Sequence, residues 1–458
     1  MHLLLLFLLL PFVSSQIDTE YFSNEKTEED LKLTMIDPIA VGHERTFYLD
    51  TGRSLNLKTL AVHPPIFAID DFLTEAECEY IVNLAVNTSN WKESATIPKD
   101  TFTLGAKEGE RQFDFKTTDT NDDDLVDFME LWAVMPPIQN YMITIEDIPE
   151  FVQLHNYDVD GDETLTREEF DQIDVKLAYE WMIKKGENNH RNTVRKSKQV
   201  WLNPETDTVL SLLTERITSV TGIPKRIIDS SKEFQIVHYD IGGHYHAHYD
   251  STFVDERSCI HTREIDGVDH DQPDDFTKYR ICRYATIMYY LNDVDEGGDT
   301  AFPVADNETF SCEVSTVFYY NLSHHCKDAN LLVKPSKGKV VFWYNHETSE
   351  DGWLGSQDPY SLHGGCDIVK GTKWIANHFV TVDSDKERQL RSMDISEEKK
   401  KSKNTAGVTE ESTKHEEINE HQHQIMTTNK QLEEKDINEE INQEKLYYSA
   451  HSKKNIKI

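Results

Sequence analysis

Two imidazoles and one carboxylate can hold a metal ion while leaving coordination positions free for chemistry, and this chain offers such groups near its middle. In Tyr239-Asp-Ile-Gly-Gly-His-Tyr-His-Ala-His-Tyr-Asp250, His248 and Asp250 are two residues apart. On a strand that spacing sends both to one face, with Tyr249 pointing away. A third ligand stands far along the chain, His363 in Ser361-Leu-His-Gly-Gly-Cys366, where a neighbouring strand can present it. Two histidines and an aspartate on one side of the ion suit an oxygen-activating non-haem iron(II). Spacing alone leaves alternatives open: His238-Tyr-Asp240 repeats the pattern, and His244, His246 and His248 alternate as an all-histidine zinc or copper site would. Lys373 follows in the alternating stretch Gly371-Thr-Lys-Trp-Ile-Ala-Asn-His-Phe379. A lysine kept inside a barrel needs a negative partner, because an unpaired buried ammonium loses its charge or destabilises the fold. The distal carboxylate of 2-oxoglutarate would serve, with Tyr290 adding a phenolic hydrogen bond.

A second chemistry lies in two acidic loops. Asp158-Val-Asp-Gly-Asp-Glu-Thr-Leu-Thr-Arg-Glu-Glu169 sets oxygen ligands in the EF-hand register: Asp158, Asp160 and Asp162, the Thr164 carbonyl, Thr166 through water, and a bidentate Glu169. Asp119-Thr-Asn-Asp-Asp-Asp-Leu-Val-Asp-Phe-Met-Glu130 fits the same register through Asp119, Asn121, Asp123, Leu125, Asp127 and Glu130. Val126 and Leu165 share the apolar position that joins paired loops. The position that usually carries glycine holds Asp124 and Glu163 instead, so both loops need a backbone conformation that side chains disfavour.

These residues need elements to carry them. Pro65-Ile-Phe-Ala-Ile-Asp-Asp-Phe72 reads as the first strand, and Thr74 with Glu77 forms a capping box for a helix whose stripe is Cys78, Ile81, Val82 and Ala85. The acidic loops sit among apolar residues at helical spacing over 100–198, which marks an inserted helical module. After Trp201 a helix with Val209, Leu212, Leu213 and Ile217 ends at Gly222-Ile-Pro224, and short alternating strands broken by Gly and Asp continue to about 383. Many short strands of this kind predict a sandwich or barrel, hence an α+β chain. The segment 16–63 is acidic and weakly patterned, and 384–458 is Glu-, Lys-, Asn- and Gln-rich, as solvated tails are.

Bulk properties bound the function. The 458 residues exceed one ordinary core, and 47 Lys+Arg against 83 Asp+Glu give a net charge of −36, which repels phosphate backbones and excludes nucleic acid as a partner. Leucines and phenylalanines over residues 3–13, followed by Ser14 and Ser15, read as a signal peptide over 1–15, the alternative being an uncleaved anchor. Membrane attachment stays open between them. Sequons at Asn87, Asn307 and Asn321 suit a luminal glycoprotein. The six cysteines form no CxxC pair; a short loop makes Cys312–Cys326 one plausible pairing, but six cysteines allow fifteen connectivities.

Ordered blocks then carry a resemblance. Tyr239, Gly242-Gly243, His248-x-Asp250, Arg283 to Leu291, Gly297-Gly-Asp-Thr-Ala-Phe-Pro303, Gly338, Phe342-Trp-Tyr-Asn345 and His363 to Lys373-Trp374 resemble the catalytic domain of the prolyl 4-hydroxylase family over 64–99 and 199–383. The resemblance selects His248, Asp250 and His363 as iron ligands and Lys373 as the anchor of the co-substrate, beside Tyr239 and Tyr290. It implies a double-stranded β-helix (jelly-roll) core with flanking helices, which the all-α EF-hand pair read from the acidic loops interrupts. It further implies iron(II), 2-oxoglutarate and ascorbate, and hydroxylation of proline in a peptide or protein; calcium in the module is expected from its loops. A luminal calcium-binding protein that binds peptide without turnover, and a dioxygenase acting on another residue, are the competing readings. The compartment expected is the endoplasmic reticulum lumen, with secretion or a membrane anchor as alternatives, and oligomeric state is not legible.

Overall fold

The computed structural model describes residues 31–49, 52–94, 114–135, 141–231, 233–251, 261–264, 278–310 and 321–394. The stretch 1–15, expected as a signal peptide, lies outside them, as does the tail from 395; the tail expected from 384 is instead helical over 386–394, where Met393 is buried. Among the described residues no helix is long and apolar enough to cross a membrane. Two units are distinguished, one ending at Gln389 and one beginning at Leu390; every element below belongs to the first.

In chain order these are β1 (Glu44–Tyr48), β2 (Ser54–Ala61), β3 (Ile66–Ile69), α1 (Glu75–Val86) and β4 (Lys92–Glu93). The helical module follows with α2 (Phe115–Thr118), β5 (Val126–Asp127), α3 (Phe128–Ala133), α4 (Ile148–His155), β6 (Thr164–Leu165), α5 (Arg167–Phe170) and α6 (Val175–Asn188). The sheets resume with β7 (Arg195–Lys196), β8 (Lys198–Leu202), α7 (Thr208–Thr221), α8 (Lys225–Ser230), β9 (Phe234–Tyr239), β10 (His244–His248), β11 (His261–Glu264) and β12 (Lys278–Tyr290). Last come β13 (Glu296–Gly297), β14 (Thr300–Phe302), α9 (Leu322–His325), β15 (Leu331–Val333), β16 (Val340–Tyr344), β17 (His346–Thr348), β18 (Leu354–Gln357), β19 (His363–Gly365), β20 (Ile368–Lys370) and β21 (Lys373–Asp383).

A 10-stranded sheet runs β1-β2-β3-β16-β12-β21-β9-β8-β4, with β11 on β12, and a 5-stranded sheet runs β15-β14-β19-β10-β7. Apolar residues from both sheets meet in one core, Val237, Met288, Val341, Trp343 and Ile375 from the large sheet and Phe302 and Val333 from the small one. Strands that alternate along their length can line such a space with one face only. The two ends of the chain's active segment, β10 and β21, are thereby brought to opposite walls of a single interior.

Two expectations need correcting. Pro65 to Phe72 is not the first strand, since β1 and β2 precede it and pair with each other and with β3. The alternation was legible there: Leu55, Leu57, Thr59 and Ala61 are buried while Ser54, Asn56 and Lys58 are exposed. The stripe of α7 is also rotated from the one expected, because Leu210, Leu213, Ile217 and Val220 are buried whereas Leu212 is 47% exposed. The Thr74–Glu77 box forms as expected, and Glu77 does a second job by pairing with Arg216 of α7 at 2.7 Å.

The module has its own core of Phe115, Leu131, Phe151, Phe170, Tyr179 and Met182. Its two acidic loops are joined by a short ladder in which Val126 faces Leu165. Both sequence-predicted apolar positions thus sit fully buried between the loops.

Candidate functional site

His248 closes β10 directly opposite His363, the first residue of β19, and Asp250 lies just beyond the strand end. His248 Nε2 is 3.6 Å from Asp250 Oδ1, and His363 Nε2 is 3.4 Å from Asp250 Oδ2. Each imidazole gives its other nitrogen to a carbonyl, His248 Nδ1 to His246 O at 2.9 Å and His363 Nδ1 to Ser361 O at 2.8 Å. A carbonyl only accepts, so each Nδ1 carries a proton and Nε2 is the nitrogen turned toward the carboxylate, the one available to a metal. Burial, and then the neighbouring His363, push His248 down to about 4. Burial alone would raise the Asp250 carboxyl, but His363, His248 and Arg283 together hold it well below the usual carboxylate range. One anion and a neutral imidazole, with ligand atoms of all three residues within 4.8 Å of one another, fit a divalent metal.

The alternation expected along β10 does not hold. The register shifts between Tyr245 and His248, and the bulge turns these two to a common side, with their rings stacked at 3.5 Å. His244 and His246 stack on each other at 4.5 Å and bond to the carbonyls of Thr193 and Arg191, at 2.6 and 2.9 Å. Their imidazoles are committed to the connection from the helical module, which removes the all-histidine alternative. The second His-x-Asp pair, His238 and Asp240, is separated by 3.7 Å, with the His238 ring stacked on Trp374.

A cavity of about 310 Å³ opens onto the triad and is lined by Arg195, Tyr239, Tyr245, Arg283, Thr300, Trp343 and Lys373 among others. Lys373 enters from the first position of β21 and is 2% exposed. Its ammonium donates to Gly298 O at 2.7 Å and Thr300 Oγ1 at 3.4 Å, between the rings of Tyr239 and Tyr290. Burial pushes it down to about 7, against the opposing pull of Asp299. Tyr239 lines the cavity as expected. Tyr290 does not; its hydroxyl donates to Thr300 Oγ1 at 2.7 Å, so it supports the lining hydroxyl from behind. Trp374 also lies off the cavity, edge-on to Trp91. Sequence reasoning missed Arg195, Tyr245 and Thr300, for which no spacing signal exists. Arg195 stacks over Tyr245 at 4.4 Å, and Arg283 covers Phe379 at 3.7 Å while its Nη1 lies 3.4 Å from Asp250.

Cys366, three residues past His363, bonds to Cys326. Of the connectivities left open, this one excludes the plausible Cys312–Cys326 pairing; Cys312 itself lies outside the described residues. β14 and β19 are neighbours in the small sheet, and chain folding rather than loop length brings Cys326 to Cys366. Cys282 is likewise in a disulfide, and Cys78 is a buried free thiol.

In the module, carboxylate oxygens of Asp158, Asp160 and Asp162 converge within 4.8 Å. Glu169 accepts from Val159 N and Thr166 N, both at 2.9 Å, which ties the loop's far end to its start. Thr164 turns its hydroxyl to Asp162 at 2.8 Å. In the first loop Asp119 accepts from Asp123 N and Asp124 N, Asn121 from Asp123 N, Asp123 from Leu125 N, and Glu130 from Thr120 N. Asp124 and Glu163 hold φ of +63° and +67°, the left-handed conformation foreseen for them. An oxygen-only donor set of this kind fits a hard divalent cation.

Residues 234–381 match the family described as the 2OG-Fe(II) oxygenase superfamily. The transmembrane prolyl 4-hydroxylase of Homo sapiens is 36% identical over 366 residues, which cover 78% of this chain and 71% of that protein. Prolyl 4-hydroxylase 5 of Arabidopsis thaliana is 31% identical over 240 residues, 51% of this chain and 69% of that protein. The solved structure of a viral collagen prolyl hydroxylase from Paramecium Bursaria Chlorella virus-1, in complex with 2-oxoglutarate, is 16% identical with a TM-score of 0.26 and covers 69% of this chain and 94% of that one.

Proposed function

The chain belongs to the prolyl 4-hydroxylase family of 2-oxoglutarate- and iron(II)-dependent oxygenases, and from that membership we propose the residues that carry the reaction and its setting. It is a prolyl 4-hydroxylase, an oxidoreductase that uses iron(II) and 2-oxoglutarate. His248, Asp250 and His363 hold the iron. Lys373 neutralises the far carboxylate of 2-oxoglutarate beside Tyr239 and Thr300. The observation that carries this reading is one cavity shared by three converging ligand residues and a buried lysine whose hydrogen-bond partners are all uncharged.

With co-substrate and oxygen, iron(II) supplies an oxidant able to hydroxylate an unactivated C–H bond. The chain's own residues bind, orient and shield. The two Nδ1 hydrogen bonds orient the imidazoles, and His363, His248 and Arg283 together keep Asp250 ionised. Lys373 sets the co-substrate's long axis across the cavity by holding one end of it. Tyr245, Trp343 and Phe379 present apolar faces that limit water at the reacting centre.

The rest of the reading is broader. The strands of the two sheets that fall within 64–99 and 199–383 form the double-stranded β-helix of the catalytic core, extended by β1, β2 and β7 from outside those bounds, and the module within 100–198 is an EF-hand pair that takes calcium through Asp158, Asp160, Asp162, Thr164 and Glu169 and through Asp119, Asn121, Asp123, Leu125 and Glu130. Ascorbate would serve as the reductant for the iron. The substrate is a proline-containing protein met in the endoplasmic reticulum lumen. The test is succinate release from 2-oxoglutarate with a library of proline peptides, each read for a mass gain of one oxygen atom. Wild type should turn over and Asp250→Ala should not; equal activity of the two refutes the assignment of the site.

A further inference from the structure

Asp250 is gripped from behind by a chain of hydrogen bonds that none of the roles above requires. Trp343 Nε1 donates to Asn345 Oδ1 at 3.0 Å, Asn345 Nδ2 donates to Thr286 Oγ1 at 2.9 Å, and Thr286 Oγ1 donates to Asp250 Oδ2 at 2.7 Å. Thr286, Asn345 and Trp343 are each 1% exposed or less. The direction of the chain is forced. An indole N–H can only donate, so the amide oxygen of Asn345 must face Trp343 and its nitrogen must face Thr286. The Thr286 hydroxyl receives that proton and has its own left for Asp250, whose carboxylate can only accept.

The backbone is arranged to make this possible. Residues 283 and 286 are an odd number apart and would lie on opposite faces of a regular strand. The register of β12 on β21 shifts between Arg283 and Ala285, and both Arg283 and Thr286 then reach Asp250. Asn345 holds that irregularity as well, since its amide nitrogen also donates to Arg283 O at 3.2 Å and its backbone N–H to Tyr284 O at 2.8 Å. At the far end, Trp343 lies with its ring 4.5 Å from His363. One residue therefore touches the second imidazole by packing and the carboxylate through two intermediates.

We propose that Thr286 and Asn345 are positioning residues that fix the rotation of the Asp250 carboxylate and keep it an acceptor, so that the metal meets a site already set for it. The proposal rests on the reading of Asp250 as an iron ligand. Groups that orient a metal ligand in this way typically matter by about 10- to 100-fold in affinity.

The experiment is a calorimetric titration of the full chain, stripped of metal, with cobalt(II), alongside the visible absorption of the bound ion. Thr286→Val keeps the shape and removes the proton for Asp250; it should weaken cobalt binding by about 10- to 100-fold. Thr286→Ser restores the hydroxyl and should bind within about threefold of wild type, a rescue that a purely structural role would not give. Asn345→Asp is nearly isosteric but can only accept, so it competes with Asp250 for the one Thr286 proton and should weaken binding and alter the absorption bands. It serves if Thr286→Val fails to fold. Cobalt affinity and spectrum equal to wild type in whichever of these two folds overturn the proposal. Asp250→Ala separates the two readings: if it binds cobalt as wild type does, the metal assignment itself fails, whereas loss in that variant alone leaves the metal site and removes only the relay.

Discussion

Lys373 donates to the carbonyl oxygen of Gly298 at 2.7 Å, and among the described residues it makes no ion pair. Gly298 holds φ of +73°, a left-handed conformation that side chains disfavour, so the carbonyl that greets the ammonium depends on glycine. A buried cation with only neutral partners is a poor resident but a good receptor. Because burial pushes the ammonium down to about 7, the free protein loses this proton as pH rises through that value, while a bound carboxylate favours the charged form. Affinity for 2-oxoglutarate should therefore be highest below pH 7 and fall up to about tenfold per pH unit above it, with proton uptake on binding. Calorimetry in buffers of differing ionisation enthalpy checks both. Lys373→Ala should weaken binding by about 10- to 150-fold, the worth of a charged hydrogen bond, and flatten the pH dependence. Flat pH dependence in wild type would remove Lys373 from the co-substrate site.

Calcium should act on the module in proportion to its convergence of oxygens. If Asp158, Asp160, Asp162 and Glu169 bind the ion, free calcium at a hundredfold excess over Kd should stabilise the chain by about 2.7 kcal/mol. Differential scanning calorimetry with calcium and with chelator reads this directly. Glu169→Ala removes the ligand that also ties Val159 to Thr166, and it should abolish the calcium-dependent part of the shift for that loop. Glu130→Ala makes the parallel test in the first loop. A melting temperature indifferent to calcium in wild type would leave the module as a helical spacer.

How much of this was legible differs from residue to residue. His248, Asp250, His363 and Lys373 are chosen by chemical type and by the blocks around them, and both signals survive without coordinates. The reason His246 faces away from His248 does not, because it rests on one bulge, and a single extra residue in a strand leaves no mark on hydrophobic alternation. The same holds for Arg283 and Thr286, which converge only through the irregularity in β12. In β2 the alternation was present in the letters, but the acidic composition of the surrounding segment outweighed it. Cys326 and Cys366 were beyond reach for another cause: their pairing follows from sheet order, which short-range spacing does not encode.

That disulfide sits close enough to the site to be felt there. It closes a span of 40 residues, for which chain entropy gives about 4 kcal/mol, and its second cysteine follows His363 on the same short segment. Cys326→Ser with Cys366→Ser should lower the denaturation midpoint accordingly. It should also weaken metal binding in the folded protein, since β19 loses its covalent tie to α9. Chemical denaturation and cobalt titration of the double variant measure the two effects separately; an unchanged midpoint would show that the bond contributes nothing to holding β19.

The three sequons are not equivalent, and the difference yields a prediction about processing in a secretory host. Asn87 is exposed at the end of α1. The side-chain oxygen of Asn307 accepts from Thr309 N and Oγ1, which leaves its nitrogen free of those bonds. Asn321 is 3% exposed; its nitrogen donates to Arg191 O at 3.1 Å and its oxygen accepts from Ser323 N at 3.0 Å. A glycan on that nitrogen would displace the bond to Arg191 and could not be housed in a buried site. Peptide mapping after enzymatic deglycosylation in heavy-oxygen water should find the label at Asn87 and Asn307 and not at Asn321. Asn321→Gln should leave the glycan count unchanged yet lower stability by about 1–3 kcal/mol, because it strands buried partners at the junction with the helical module. A labelled Asn321 in the folded enzyme would mean that its hydrogen bond to Arg191 is absent from the mature protein.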